Sequence, residues 1–194
     1  DLKARGLKKA PKLAVGDGAL GFWAALREEF PETCEQRCWV HKTANILDKM
    51  PKGVQPRAKD RIHDMYLAET KQEAMKAYDE FIALYGAKYP KACNCLTEDK
   101  DVLFQFYDFP AEHWQHIRTT NPIESTFATV RHRTRRTKGC GTRTATLTMT
   151  HKMAMEAEKH WRRINGYEMI IKIFQGIKFV DGLEVTQETE EKVA

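Results

Sequence analysis

Two acidic residues stand where a carboxylate could do chemistry. Asp17 follows the short apolar segment 13–16, and Glu124 lies in the first turn of a predicted helix that begins near Asn121. The same helix runs into a strongly cationic segment, 131–138. Carboxylate oxygens are the ligands that hard cations such as Mg²⁺ prefer, and cationic side chains bind phosphate. The combination indicates an enzyme that acts on the backbone of a nucleic acid.

Local sequence leaves three roles open for Glu124. Asn121 at the N-cap, Pro122 at the first helical position and Glu124 at the third form a capping box, in which the glutamate only caps its own helix. The helical repeat also places Glu124 on the same side as Arg131 and Arg135. The opposite side is apolar (Ile123, Phe127 and Val130). A carboxylate aligned with arginines forms either a surface ion-pair ladder or a metal ligand beside phosphates.

Asp17 also has an ordinary structural interpretation. An Asp-Gly pair after a strand is a common turn, and Asp17 could cap the helix predicted from Ala19. In open α/β sheets, however, functional sites gather at the carboxyl ends of the strands, where Asp17 falls. Two convergent carboxylates could hold divalent metal ions that activate the attacking oxygen and stabilise the leaving one.

The cationic segment predicts a surface that binds the phosphate backbone of a nucleic acid. Its five cations lie within eight positions (Arg131, Arg133, Arg135, Arg136 and Lys138). We include Arg118 and Asn121 among the predicted nucleic-acid contacts. The net charge of +5 understates the basic character of the body, because the segment 184–191 is acidic. A solvated helix face is the alternative, although the density of cations favours a polyanionic partner.

Cys38 and His41 are potential metal ligands three residues apart. No second pair at zinc-finger spacing accompanies them, so the residues alone favour a buried thiol and a histidine at a helix start. The five cysteines follow no disulfide framework, which indicates reduced thiols in a cytoplasmic protein. No apolar run reaches the roughly 18 residues of a membrane span, and neither a membrane nor a small-molecule substrate is expected.

The order of elements predicts an α/β fold that is mostly helical. Segments 12–16 and 36–40 read as strands, each followed by a helix. We therefore divide the chain into an α/β part (1–50), an all-α insertion (51–116), returning helices with Glu124 and the cationic surface (117–181), and an acidic tail (182–194). In the third part, Met149, Met153 and Trp161 are expected in a core, and Asp181-Gly182 is expected to end the ordered structure.

Several motifs together resemble the Mutator-type transposases of bacterial insertion sequences. They are Val15-Gly16-Asp17-Gly18-Ala19-Leu20-Gly21-Phe22, Gln36-Arg37-Cys38-Trp39-Val40-His41-Lys42 with Asn45, Phe106-Tyr107-Asp108-Phe109-Pro110-Ala111-Glu112-His113-Trp114, the run from Arg118 to Arg136, and Trp161-Arg162-Arg163. The motifs occur in the family's order and span nearly the whole chain.

The resemblance implies a partial ribonuclease H-like fold with an Asp-Asp-Glu triad and Mg²⁺ or Mn²⁺. Asp17 matches the second aspartate and Glu124 the glutamate, while Cys38 and His41 match a family signature without an assigned role. The family's first aspartate lies upstream of anything matched here, so this chain on its own is expected to be inactive. The intact protein is expected to cut element ends and join them to target DNA, as a homo-oligomer because two ends need two active sites.

Two alternatives remain open at this stage. A non-catalytic DNA-binding or regulatory protein derived from such an element would use the same cationic surface, with Asp17 and Glu124 serving only structural roles. A ribonuclease H-like nuclease without joining activity would use the same carboxylates.

Overall fold

The computed structural model describes residues 1–139 and 141–185, which form an α/β fold made mostly of helices. The strands are β1 (Leu13–Gly16), β2 (Cys34–Arg37), β3 (Phe179–Val180) and β4 (Leu183–Glu184). The helices are α1 (Leu20–Glu29), α2 (Trp39–Leu47), α3 (Gln55–Leu67), α4 (Lys71–Tyr85), α5 (Pro90–Thr97), α6 (Lys100–Leu103), α7 (Trp114–Ile117), α8 (Asn121–Arg136), α9 (Arg143–Glu158) and α10 (Met169–Phe174). Two short 3₁₀ helices, Gln105–Asp108 and Ala111–His113, lie between α6 and α7.

Strands β1 and β2 form a parallel pair connected by α1. Leu13 pairs with Cys34, and Gly16 with Arg37. Helix α1 buries Trp23 and Leu26, and a Cβ at Gly16 would lie 2.6 Å from Cζ2 of Trp23. A residue without a side chain at position 16 therefore allows the helix to approach the strand. The prediction of a first strand and a following helix is confirmed, whereas β2 ends before position 40 because Trp39 already begins α2.

The main core is built from helices. Its side chains come from the part of the chain that runs from α2 to the first 3₁₀ helix. Its largest fully buried side chains include Trp39, Phe81, Phe106 and Tyr107. Within the described residues, no strand occurs between Arg37 and β3, in agreement with the predicted helical character of this stretch.

Buried side chains connect β2 and the start of α2 to the helical region. Gln36 Nε2 donates to the carbonyl of Leu103, and its Oε1 accepts from the backbone N–H of Phe106, at 2.9 Å each. Trp39 Nε1 also donates to the Leu103 carbonyl, at 2.8 Å. Buried amide groups need such partners, so the sequence of β2 fixes the sheet against the helices.

An ion cluster makes a further link between β2, α2 and Asp99, the residue that directly precedes α6. Asp99 accepts from Arg37 Nε at 2.9 Å and from Lys42 Nζ at 2.7 Å. The side chains of Arg37 and Lys42 are only 8% and 3% exposed, and that of Asp99 is 29% exposed. One carboxylate therefore serves as the shared counterion of two buried cations, which would otherwise be costly to bury.

Helices α8, α9 and α10 contain no buried residue. The expectation that Met149, Met153 and Trp161 lie in a core is wrong for the described structure, in which Trp161 is 59% exposed. Helix α8 also exposes apolar side chains of its first two turns, Ile123 and Phe127. The helical spacing of these residues is correct, but neighbouring elements cover Met149 and Met153 only in part and leave Trp161, Ile123 and Phe127 exposed.

The C-terminal strands form an antiparallel hairpin, β3–β4. Asp181 and Gly182 have φ of 48° and 78°, which fits a tight two-residue hairpin turn. Asp181 Oδ1 accepts from the backbone N–H of Lys71 at 2.6 Å, and the Gly182 carbonyl accepts from Ala111 N at 3.1 Å. The prediction that Asp181-Gly182 ends the ordered structure is wrong, because this turn docks on the helical region. The rest of the predicted acidic tail, 186–194, lies outside the described residues.

Candidate active site

The carboxyl ends of β1 and β2 bring Asp17 and Cys38 to one edge of the small sheet. Asp17 directly follows β1, and Cys38 directly follows β2. The backbone N–H of Cys38 donates to the carbonyl of Gly16 at 2.8 Å. Because the strands are parallel, residues that follow them lie side by side, as predicted for Asp17.

The Asp17-Gly18 turn is constrained by its own contacts. Asp17 Oδ1 accepts from the backbone N–H of Ala19 at 3.1 Å, so the side chain does stabilise the turn before α1. Gly18 has a φ of +93°, and a Cβ there would lie 2.2 Å from Cζ of Arg37. Asp17 therefore stabilises its own turn, and its carboxylate is also exposed to a ligand.

Cys38 and His41 form a polar pair at the start of α2. The thiol sulfur of Cys38 is 3.3 Å from His41 Nδ1, and Cys38 is fully buried. Burial raises the pKa of the Cys38 thiol, but hydrogen bonds from Thr120 and His41 outweigh this effect, and the pKa lies below its ordinary value. The structure confirms that the Cys38 thiol is buried and that His41 lies in the first turn of α2.

The segment before α8 docks on this pair. The backbone N–H of Trp39 donates to the Arg118 carbonyl at 3.0 Å. The backbone N–H and the hydroxyl of Thr120 both lie 3.3 Å from the Cys38 sulfur. Residues distant in the sequence thus bring the N-terminus of α8 beside the carboxyl end of β2.

Glu124 does not form the capping box that its spacing suggests. Thr120, not Asn121, is the N-cap residue and makes no side-chain capping bond. The Glu124 carboxylate instead accepts a short hydrogen bond from the Thr120 hydroxyl, and its Oε1 lies 3.7 Å from His41 Nδ1. No arginine of α8 pairs with Glu124 in the described structure, so the predicted ion-pair ladder along the helix is not formed there.

Asp17 and Glu124 both act electrostatically on His41. The hydrogen bond with Cys38 raises the pKa of His41 most, burial lowers it, and the charges of Cys38, Glu124 and Asp17 raise it further. The pKa of His41 therefore lies above its ordinary value. Both predicted catalytic carboxylates thus lie within electrostatic reach of one imidazole.

The donor set partly fits a hard divalent cation. Asp17 and Glu124 supply carboxylate oxygens of the kind that Mg²⁺ and Mn²⁺ accept. Among residues 1–139 and 141–185, no cluster of three or more histidine, cysteine, aspartate or glutamate side chains could hold a metal ion. The described chain therefore supplies two carboxylates rather than a complete set of protein ligands.

The cationic segment 131–138, which forms the last turns of α8 and the residues after it, leads away from the site. All five predicted contacts, Arg131, Arg133, Arg135, Arg136 and Lys138, are exposed, and none has an acidic partner within the part of the chain that the structure describes. Lys138 follows the helix with a φ of 51°. The cationic segment is thus available to an anionic partner.

The other two predicted nucleic-acid contacts are placed differently. Arg118 is half-buried, and its Nη1 donates to the Tyr66 carbonyl at 2.6 Å, so the guanidinium already has a partner on α3. Asn121 is exposed at the first position of α8. Their contacts with DNA stay predictions.

Sequence reasoning assigned no role to Asp99 or Arg37, and it did not predict the contacts of Thr120 with Cys38, His41 and Glu124. The signal for Thr120 was weak, because a threonine before a helix is ordinary. The described cysteines, Cys34, Cys38, Cys93 and Cys95, are free thiols, as expected, and Cys140 lies outside the described residues. No helix within the described residues is long and apolar enough to cross a membrane.

The fold and site define an α/β protein with two carboxylates beside a cationic helix. A family model described as "Transposase, Mutator family" matches residues 1–164. The chain is 57% identical over 183 residues to the transposase for insertion sequence element IST2 of Acidithiobacillus ferrooxidans, covering 94% of this chain and 62% of the relative. It is 51% identical over 190 residues to the transposase for IS6120 of Mycolicibacterium smegmatis, covering 98% and 58%. The chain therefore belongs to the Mutator family of transposases, and it spans about three-fifths of the length of these relatives.

Proposed function

We propose that this chain carries two of the metal-binding carboxylates and a DNA-contacting surface of an insertion-sequence transposase. The proposal is supported by one observation above all: Asp17 and Glu124, far apart in the sequence, flank the Cys38–His41 pair. Asp17 follows β1 beside Cys38, and Glu124 Oε1 lies 3.7 Å from His41 Nδ1. Within this proposal the small parallel sheet is part of a ribonuclease H-like core, and the region 51–116 is an insertion in it.

The proposed reaction is the transfer of phosphodiester bonds at the ends of the element. Asp17 and Glu124 would hold Mg²⁺ or Mn²⁺, and a divalent ion there supplies Lewis-acid stabilisation of the charge that develops on phosphate oxygens. Glu124 is held by Thr120 and His41, and Asp17 by the turn into α1. These contacts orient both carboxylates before the substrate arrives, which lowers the cost of assembling the site.

The cationic segment 131–138 would bind the DNA backbone beside these carboxylates. Arg131 and Arg135 lie on the same side of α8 as Glu124, about two and three helical turns further along, so a phosphate chain that crosses the site can continue past them. Such contacts give affinity and position without reading sequence. We propose that the intact protein works as a homo-oligomer on bacterial DNA in the cytoplasm, since joining two element ends needs two sites.

The proposed chemistry is tested with a longer transposase that contains this chain and with DNA carrying the element ends. We expect cleavage and strand transfer with Mg²⁺ or Mn²⁺, none after chelation, and recovery when the ion is restored. Because the described chain supplies only two carboxylates, the 194-residue chain alone is expected to bind DNA without cutting it. Cleavage that persists in chelator would exclude the metal-dependent mechanism.

Removing one cation from α8 should weaken DNA binding in a salt-dependent way. A cation that neutralises one phosphate contributes about 0.9 to the slope of log K against log salt, so its removal makes the slope shallower by that amount. We expect Arg131→Gln and Arg135→Gln each to show this reduction on both element-end and unrelated DNA. Fluorescence anisotropy at several salt concentrations measures it. Arg57→Gln, which removes an exposed cation from α3, is the matched control, and an equal reduction in this variant would argue against a localised surface.

A further inference from the structure

The Thr120 hydroxyl lies at the centre of the contacts around Glu124. Its oxygen is 3.3 Å from the Cys38 sulfur and 3.4 Å from His41 Nδ1, and it donates a short hydrogen bond to Oε1 of Glu124. These partners come from the start of α2 and the first turn of α8. One side chain therefore joins the two elements at the candidate active site.

The numbers of donors and acceptors determine which group donates in each of these hydrogen bonds. A hydroxyl has one proton to donate and two lone pairs that accept. An ionised carboxylate only accepts, so the Thr120 proton goes to Glu124, and the His41 Nδ1–H can donate to the Thr120 oxygen or to the Cys38 sulfur. The backbone N–H of Thr120 donates to the same sulfur. Cys38 and His41 thus orient Thr120, and Thr120 orients Glu124.

We propose that Thr120 is a positioning residue, whose hydroxyl holds Oε1 of Glu124 and leaves Oε2 as the oxygen offered to a divalent cation. Glu124 Oε2 has no partner within the described residues, and the Glu124 side chain is 45% exposed. Without the hydroxyl, an exposed glutamate would sample several rotamers, and fixing one of them would oppose metal binding. This inference rests on the proposed function, in which Glu124 is a metal ligand.

The test compares Thr120→Val, which removes the hydroxyl at nearly constant shape, with Thr120→Ser, which keeps it. Mn²⁺ binding is measured by electron paramagnetic resonance of the free ion, in a longer transposase that contains this chain. Loss of a group that orients a metal ligand typically weakens metal affinity by about 10- to 100-fold. We expect this loss for Thr120→Val and near-wild-type affinity for Thr120→Ser. Equal affinities in Thr120→Val and the wild-type protein would overturn the proposal.

Two further variants, Thr120→Ala and Glu124→Gln, ensure that the Mn²⁺ measurement gives a clear result. Thermal unfolding checks that Thr120→Val is folded, and if it is not, Thr120→Ala carries the same expectation. Glu124→Gln in the same assay distinguishes a failure of the proposed function from a failure of the role given to Thr120. If Glu124→Gln binds Mn²⁺ as well as the wild type, the proposed function fails. If Glu124→Gln loses the ion while Thr120→Val and Thr120→Ala keep it, only the role of Thr120 fails.

Discussion

Asp17→Asn and Glu124→Gln are each expected to abolish cleavage and strand transfer by the longer transposase while leaving DNA affinity nearly unchanged. Both substitutions keep the shape of the side chain and remove its charge, so a metal ion loses a ligand. Removing one member of a catalytic unit lowers rates on the order of a thousandfold or more. DNA affinity should persist, because contacts of cations with phosphates dominate it.

Single-turnover cleavage and anisotropy on the same protein preparations measure the two quantities. Asp108→Asn, which removes an exposed carboxylate from a 3₁₀ helix, is the control and should cleave normally. A variant of Asp17 or Glu124 that binds and cuts DNA like the wild type would leave the non-catalytic DNA-binding protein as the better explanation. Cleavage without strand transfer by the wild-type protein would favour a nuclease instead.

Asp99→Asn is expected to cause the largest loss of stability among single charge removals in the chain. The substitution leaves Arg37 and Lys42 buried without a counterion, and breaking a buried ion pair in this way costs about 3 kcal/mol. Chemical denaturation at neutral pH measures the change in the free energy of unfolding. Asp101→Asn is the matched control, because Asp101 is exposed in α6 and forms no ion pair in the described structure.

The stabilisation by Asp99 should also depend on pH. Burial raises the pKa of Asp99, but the hydrogen bonds and charges of Lys42 and Arg37 outweigh this effect, so the pKa lies below its ordinary value. A carboxyl group with a lowered pKa stabilises the fold above its unfolded pKa and loses that effect as the pH falls through the folded value. The difference between wild type and Asp99→Asn should therefore be full at neutral pH and shrink below about pH 4. A difference that stays constant into acid would contradict the ion cluster.

Local sequence was enough to predict the element that carries Asp17. The apolar segment before Asp17-Gly18 predicted a strand with a helix after it, and the structure has β1 and then α1, which buries Trp23 and Leu26. The structure places Asp17 at the carboxyl end of β1, which is where functional groups are expected in a parallel sheet. These features depend on neighbours in the sequence, which periodicity detects.

Contacts between distant residues could not be predicted in the same way. The bonds of Arg37 and Lys42 with Asp99 join residues 62 and 57 positions apart, and the bond from Thr120 to Cys38 spans 82. No local pattern marks such partners, so Glu124 looked like part of a capping box. The Asp181-Gly182 turn, in contrast, carried a usable signal, since Asp-Gly is typical of tight hairpins.

The central claim is that Asp17 and Glu124 share one site, and the titration of His41 tests it most directly. We expect an NMR titration to give a His41 pKa above its ordinary value of about 6.5, and both Glu124→Gln and Asp17→Asn to lower it, because each removes a negative charge that stabilises the imidazolium. Asp79→Asn, on α4, should leave the pKa unchanged. A His41 pKa that responds to Glu124→Gln but not to Asp17→Asn would show that the two carboxylates do not converge.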